Sequence, residues 1–85
     1  MTNNKLKKNK IKEELKNLLV SHFKLSGDIP KNLNSDNIEN WDSVNHLSLI
    51  SEIEKIFKIK LNDETAYSLL DDEKILKEIF KIKKL

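Results

Sequence analysis

From Val44 to Phe57 the apolar side chains keep one spacing. Val44, Leu47, Ile50, Ile53 and Phe57 fall three or four residues apart, and Leu49 and Ile56 widen the stripe. That period belongs to a helix with one buried face, because a strand would alternate residue by residue. The same period runs through Ile11, Leu15, Leu18, Leu19, Phe23 and Leu25, with Leu6 ahead of it. It returns at Ile75, Leu76, Ile79, Phe80 and Ile82. Lys58-Ile59-Lys60-Leu61 alternates, but no second such run exists for it to pair with, so it reads as an extended linker. The expected fold is all-α, with helices burying their stripes against one another.

Breakers and caps place the boundaries. Ser26 and Gly27 stop the first helix, with Gly27 expected as its left-handed cap. Residues 28–41 carry the only proline, several asparagines and Ser35-Asp36, and read as a loop pinned by Ile29, Leu33, Ile38 and Trp41. A connection this long has a job or a helical turn of its own. Asp42 or Ser43 stands where the second helix needs an N-cap. Asn62 or Asp63 opens a short third helix ending near Leu69 and burying Ala66, Leu69 and Tyr67. Asp71 or Asp72 opens the last one, with acids at its start and lysines at its end, as the helix dipole favours. The expected architecture is a small four-helix bundle in a single domain over residues 1–85, with residues 1–5 frayed.

Eighty-five residues support one modest core and leave no room for a deep cleft with its own scaffold. Without cysteine there is no disulfide, no thiolate metal site and no protein thiol nucleophile. No nucleophile–base pair or metal cluster can be assembled, so the chain does not read as an enzyme. The apolar run Leu15–Val20 is interrupted by Lys16 and Asn17 and is too short for a membrane span or signal peptide. The expectation is a soluble, cytoplasmic protein without membrane contact.

The net charge of +2 conceals a strong segregation. Lys5, Lys7, Lys8, Lys10, Lys12 and Lys16 load the N-terminal segment, and Lys74, Lys77, Lys81, Lys83 and Lys84 the C-terminal one. Between Lys31 and Lys55 there is no lysine, while Asp36, Glu39, Asp42, Glu52 and Glu54 fall there. Asp63, Glu64, Asp71, Asp72 and Glu73 make a second acid-only stretch. A partner that meets the middle of the chain should be basic.

At Ile38-Glu39-Asn40-Trp41-Asp42-Ser43-Val44-Asn45-His46-Leu47 the sequence resembles the acyl carrier protein family. The likeness covers roughly residues 6 to 82, and Asp42-Ser43-Val44 matches the family's Asp-Ser-Leu signature, with Val for Leu. Phe57–Leu61 followed by Asp63-Glu64-Thr65-Ala66 resembles the family's passage from second to third helix. Trp41 before the Asp-Ser pair looks more like stand-alone carriers of specialised pathways than the fatty-acid synthesis carrier. The resemblance implies a bundle of the acyl-carrier type. It further implies a 4′-phosphopantetheine arm placed on Ser43 by a phosphopantetheinyl transferase, with coenzyme A and magnesium, and flanking recognition by Asp42 and Val44. The arm's thiol would carry acyl groups as thioesters to enzymes with basic docking surfaces, the carrier working as a monomer. Docking would use the second helix and its approach, at Glu39, Asn45, Ser48, Glu52 and Glu54. Asn45, Ser48 and Lys55 stand where the family often has acids, which favours a dedicated partner.

Asp-Ser-aliphatic occurs by chance in many proteins; its weight here comes from its place after a long loop, at the start of an amphipathic helix. Plainer uses remain for each residue. Ser43 serves as an N-cap in the simplest reading, Trp41 as a loop anchor, and His46 as an exposed or rim histidine. His22 reads as isolated, and Asp71-Asp72-Glu73 as capping and solvated charge. The rival class is a helical nucleic-acid-binding or protein-interaction module without a prosthetic group. All sixteen Lys+Arg positions are lysine, so no bidentate guanidinium grip on phosphate or guanine is available, and no nucleic-acid partner is expected.

Overall fold

The computed structural model describes residues 2–85 and contains four helices. They are α1 (Thr2–His22), α2 (Ser43–Phe57), α3 (Asp63–Ser68) and α4 (Asp72–Lys83). Among the described residues, β pairing is confined to an isolated antiparallel bridge between Asn34 and Asp71. The fold is a small all-α bundle, and Lys58 to Leu61 forms a linker without strand structure. Of the segment expected to fray, residues 2–5 belong to α1, while Met1 lies outside the described residues.

Among the described residues, sixteen apolar side chains form one buried cluster. Ile11, Leu15 and Leu19 enter it from α1 and Phe23 from the turn just past its end, at strict four-residue steps, and Ile75 and Ile79 enter from α4. These two helices make the most extensive approach of any helix pair, and Lys8 lies 5.5 Å over the Phe80 ring between them. The loop contributes Leu33, Ile38 and Trp41, so three of its four expected pins are buried and Ile29 is half-buried. Tyr67 is a correction: it is 63% exposed, and α3 buries only Ala66, with Leu69 just beyond its end.

The buried face of α2 is rotated from the expected one. His46, Leu49, Ile50, Ile53 and Phe57 are buried, whereas Val44, Leu47 and Ile56 point largely to solvent. His46 holds the inward slot of the first turn because its ring finds two hydrogen-bond partners there, which an aliphatic stripe does not reveal.

The three long helices end alike, and not by glycine. Lys24, Lys58 and Lys84 take left-handed φ values of 54°, 55° and 58°. Each is followed by an aliphatic residue whose N–H turns back to the helix: Leu25 to Val20 O, Ile59 to Glu54 O, Leu85 to Phe80 O. Leu25, Ile59 and Leu85 all pack against the core. An apolar residue after a left-handed one is the companion such caps favour. Gly27, expected to cap α1, has φ 72° but lies in the loop beyond it.

The loop is fastened to the α3–α4 junction by backbone. Ser35 N–H donates to Leu70 O at 3.0 Å, and Asp72 N–H to Leu33 O at 2.8 Å. Leu33 N–H donates to Asp72 Oδ2 at 3.1 Å. Asp71, rather than Asp72, caps α4, accepting from Lys74 N–H at 2.7 Å. The acidic run is therefore not simply solvated: Asp72 latches the loop, and its Oδ1 is buried without a partner.

Candidate functional site

Asp42 resolves the capping question at α2. With φ −106° and ψ −177° it is extended, and its Oδ1 accepts from Asn45 N–H at 2.9 Å. Its carbonyl accepts from His46 N–H at 2.8 Å. Ser43 is thus the first helical residue and not the cap. Its side chain is exposed, and among the described residues its hydroxyl makes no hydrogen bond. The N–H groups of Ser43 and Val44 are likewise without partners there, as the first turn of a helix leaves them.

Around these two residues the turn is bound tightly. Asn45 Nδ2 donates to Asn40 O at 2.8 Å, and Asp42 N–H to Asn40 O at 2.9 Å. His22 Nε2 donates to Asn45 O at 3.1 Å, joining the end of α1 to the first turn of α2. Trp41, buried as an anchor as expected, donates its Nε1–H to His46 Nδ1 at 3.0 Å. The His46 ring proton then sits on Nε2, which donates to Ala66 O at 2.8 Å in α3. Phe23 stacks on Trp41 with ring centroids 4.9 Å apart, and Trp41 on His46 at 6.3 Å.

Both histidines correct the sequence reading. His46 is 5% exposed rather than at the rim, and His22 is half-buried and bonded rather than isolated. The signal for His46 was its register, in phase with Leu49, Ile50, Ile53 and Phe57. Ser43 therefore stands on a pedestal drawn from all the elements near it: α1, the loop, α2 and α3. Beside it, Val44 is 77% exposed and Leu47 half-exposed, an apolar rim that the expected stripe had placed inside.

No protein-family model and no curated protein matches this chain.

The five residues expected to dock a partner divide by what their side chains already do. Glu39, Ser48 and Glu52 are exposed. Asn45 and Glu54 are half-buried and carry bonds within the fold. Glu54 Oε2 accepts from Leu61 N–H at 2.8 Å, fixing the linker that leads to α3. Charge is also segregated along α2. Lys58, just past its far end, joins Lys7, Lys10 and Lys83, with Glu14 the one acid among them, around a groove of about 480 Å³ floored by Ile11, Ile56 and Phe57. At 1.5 Å per residue, α2 separates Ser43 from that lysine cluster by roughly 22 Å.

A larger groove of about 560 Å³ lies between α1, loop residues 31–33 and the start of α4. Leu15, Leu19, Leu33 and Leu76 supply its apolar lining, with Lys12, Lys16 and Lys31 beside them. Neither groove is lined by Ser43 or its turn. Among the described residues, no three His, Asp or Glu side chains gather as a metal site. Among the described residues, no helix is long and apolar enough to cross a membrane.

Proposed function

We propose that the chain is an acyl carrier protein whose Ser43 accepts a 4′-phosphopantetheine arm from a phosphopantetheinyl transferase, and that it is not itself an enzyme. The observation that carries this reading is the division of labour between Asp42 and Ser43. Asp42 satisfies the helix end, so the Ser43 hydroxyl is free, exposed and held on a fixed turn. A phosphodiester on Ser43 Oγ fits the residues present: the unpartnered N–H groups of Ser43 and Val44 and the positive end of the α2 dipole favour an anion there. When bound, the arm supplies a thiol that carries acyl groups as thioesters, which the chain's own side chains lack.

The remaining residues act as a platform. Asp42 presents one carboxylate oxygen to Asn45 N–H and stands exposed beside Ser43, a charged feature for the transferase to recognise. Val44 and Leu47 offer an apolar contact, and Glu39, Ser48 and Glu52 the exposed rim. Such a surface suits a partner with an apolar centre and basic edges. With few acids in the first turns of α2, we read the carrier as serving a dedicated partner in a specialised pathway.

Incubation with a promiscuous transferase, coenzyme A and magnesium, followed by intact-mass measurement, tests the reading. The expected result is one added phosphopantetheine, absent from Ser43→Ala. An unmodified wild-type chain under conditions that load a control carrier overturns it.

A further inference from the structure

His46 bonds in two directions, and its partners belong to different parts of the fold. Nδ1 accepts from Trp41, two residues before Ser43, and Nε2 donates to Ala66 O in α3. The first bond closes the span 41–46 on which Ser43 sits. The second reaches a helix of six residues, too short to persist on its own. α3 depends on its Asn62 cap, on burial of Ala66 and Leu69, and on this bond. An aliphatic residue would fill the slot but leave the buried Trp41 N–H without an acceptor.

We infer that His46 is a positioning residue that couples α3 to the Ser43 turn, so that the presentation of Ser43 follows the placement of α3. His46 acts through Trp41 and the backbone of the turn; it is buried and does not reach the Ser43 surface. The part of this inference that concerns transfer to Ser43 rests on the carrier reading above. The coupling itself does not.

Three substitutions separate the two bonds. Asparagine places an acceptor near the position of Nδ1 and keeps the Trp41 bond. Glutamine places a donor near Nε2 and keeps the Ala66 bond. Leucine keeps neither. In transferase kinetics, His46→Leu should lower kcat roughly tenfold, the effect of one lost positioning hydrogen bond, with KM unchanged because the exposed docking rim is intact. His46→Asn should recover the larger part of the lost kcat, the part carried by the Trp41 bond, and His46→Gln only the smaller part carried by the Ala66 bond. Wild-type kcat in His46→Leu, or equal rescue by both amides, overturns the positioning role.

Hydrogen exchange at the Asn45 and His46 amides reads the coupling without any transferase. Uncapping α3 with Asn62→Ala should speed their exchange in the wild-type background. In the His46→Asn background, where the link to Ala66 is cut, it should not. Equal acceleration in both backgrounds sinks the coupling. If the wild-type chain is never modified, the carrier reading falls, and the exchange comparison still decides this inference.

Discussion

Trp41 donates its indole N–H to Nδ1 of the buried His46 at 3.0 Å, across the five-residue step that contains Ser43. Trp41→Phe preserves much of the stack on Phe23 but leaves that nitrogen without a donor. The expected cost is about 1–3 kcal/mol, the penalty for an unsatisfied buried polar group. A urea titration followed by far-UV circular dichroism should show a lower midpoint with an unchanged slope. A loss within about 0.5 kcal/mol, as for an ordinary surface change, would mean that the bond does not hold the turn.

The architecture was legible where periodicity and capping chemistry spoke for themselves. The four-step stripe leading into the core from α1, a cap at Asn62 or Asp63, which the structure assigns to Asn62, and the inward Ile75 and Ile79 are all local signals that the structure keeps. Two features were hidden for physical reasons. The end of α1 is expected at Gly27, yet Lys24 takes the left-handed position there, as Lys58 and Lys84 do at the other two ends, because the aliphatic residue after each finds the core. Val44 and Leu47 set the expected phase of α2's first turn, while the core slot goes to His46, whose partners Trp41 and Ala66 come from other elements. At the site, the Asp-Ser pair was visible in sequence. Which of the two capped the helix required the backbone.

Asp42 and Ser43 should separate cleanly on mutation. Asp42→Ala removes the cap of α2 and should cost about 1 kcal/mol of stability. Ser43→Ala removes no hydrogen bond within the described residues and should change stability by no more than about 0.5 kcal/mol. In the loading assay Ser43→Ala should accept nothing, whereas Asp42→Ala should still load, more slowly. Equal destabilisation by the two changes would mean that Ser43 shares the capping, and the division of labour at the turn would be lost.

The rotated face of α2 predicts a sharp contrast along one helix. Leu49 and Ile53 are fully buried, so truncation of either to alanine should cost about 2–5 kcal/mol. Val44→Ala and Leu47→Ala should each cost under about 1 kcal/mol, since both side chains stand largely in water. Thermal melts of the four variants decide the phase. A large loss at Leu47 would restore the stripe expected from spacing alone.

Lys58 closes α2 at φ 55°, a region that costs a residue with a Cβ about 1–2 kcal/mol relative to glycine. Lys58→Gly relieves that strain but gives the unfolded chain more freedom, which offsets part of the gain. The net expectation is a stabilisation of about 0.5–1 kcal/mol, seen as a raised urea midpoint. Gly27 supplies the reverse experiment. Its φ is 72°, and a Cβ added there would meet nothing within 4 Å, so Gly27→Ala isolates backbone strain from packing. It should destabilise by about 1 kcal/mol. If Lys58→Gly instead lowers the midpoint, the lysine stem must stabilise the end of α2 by more than the left-handed turn costs it.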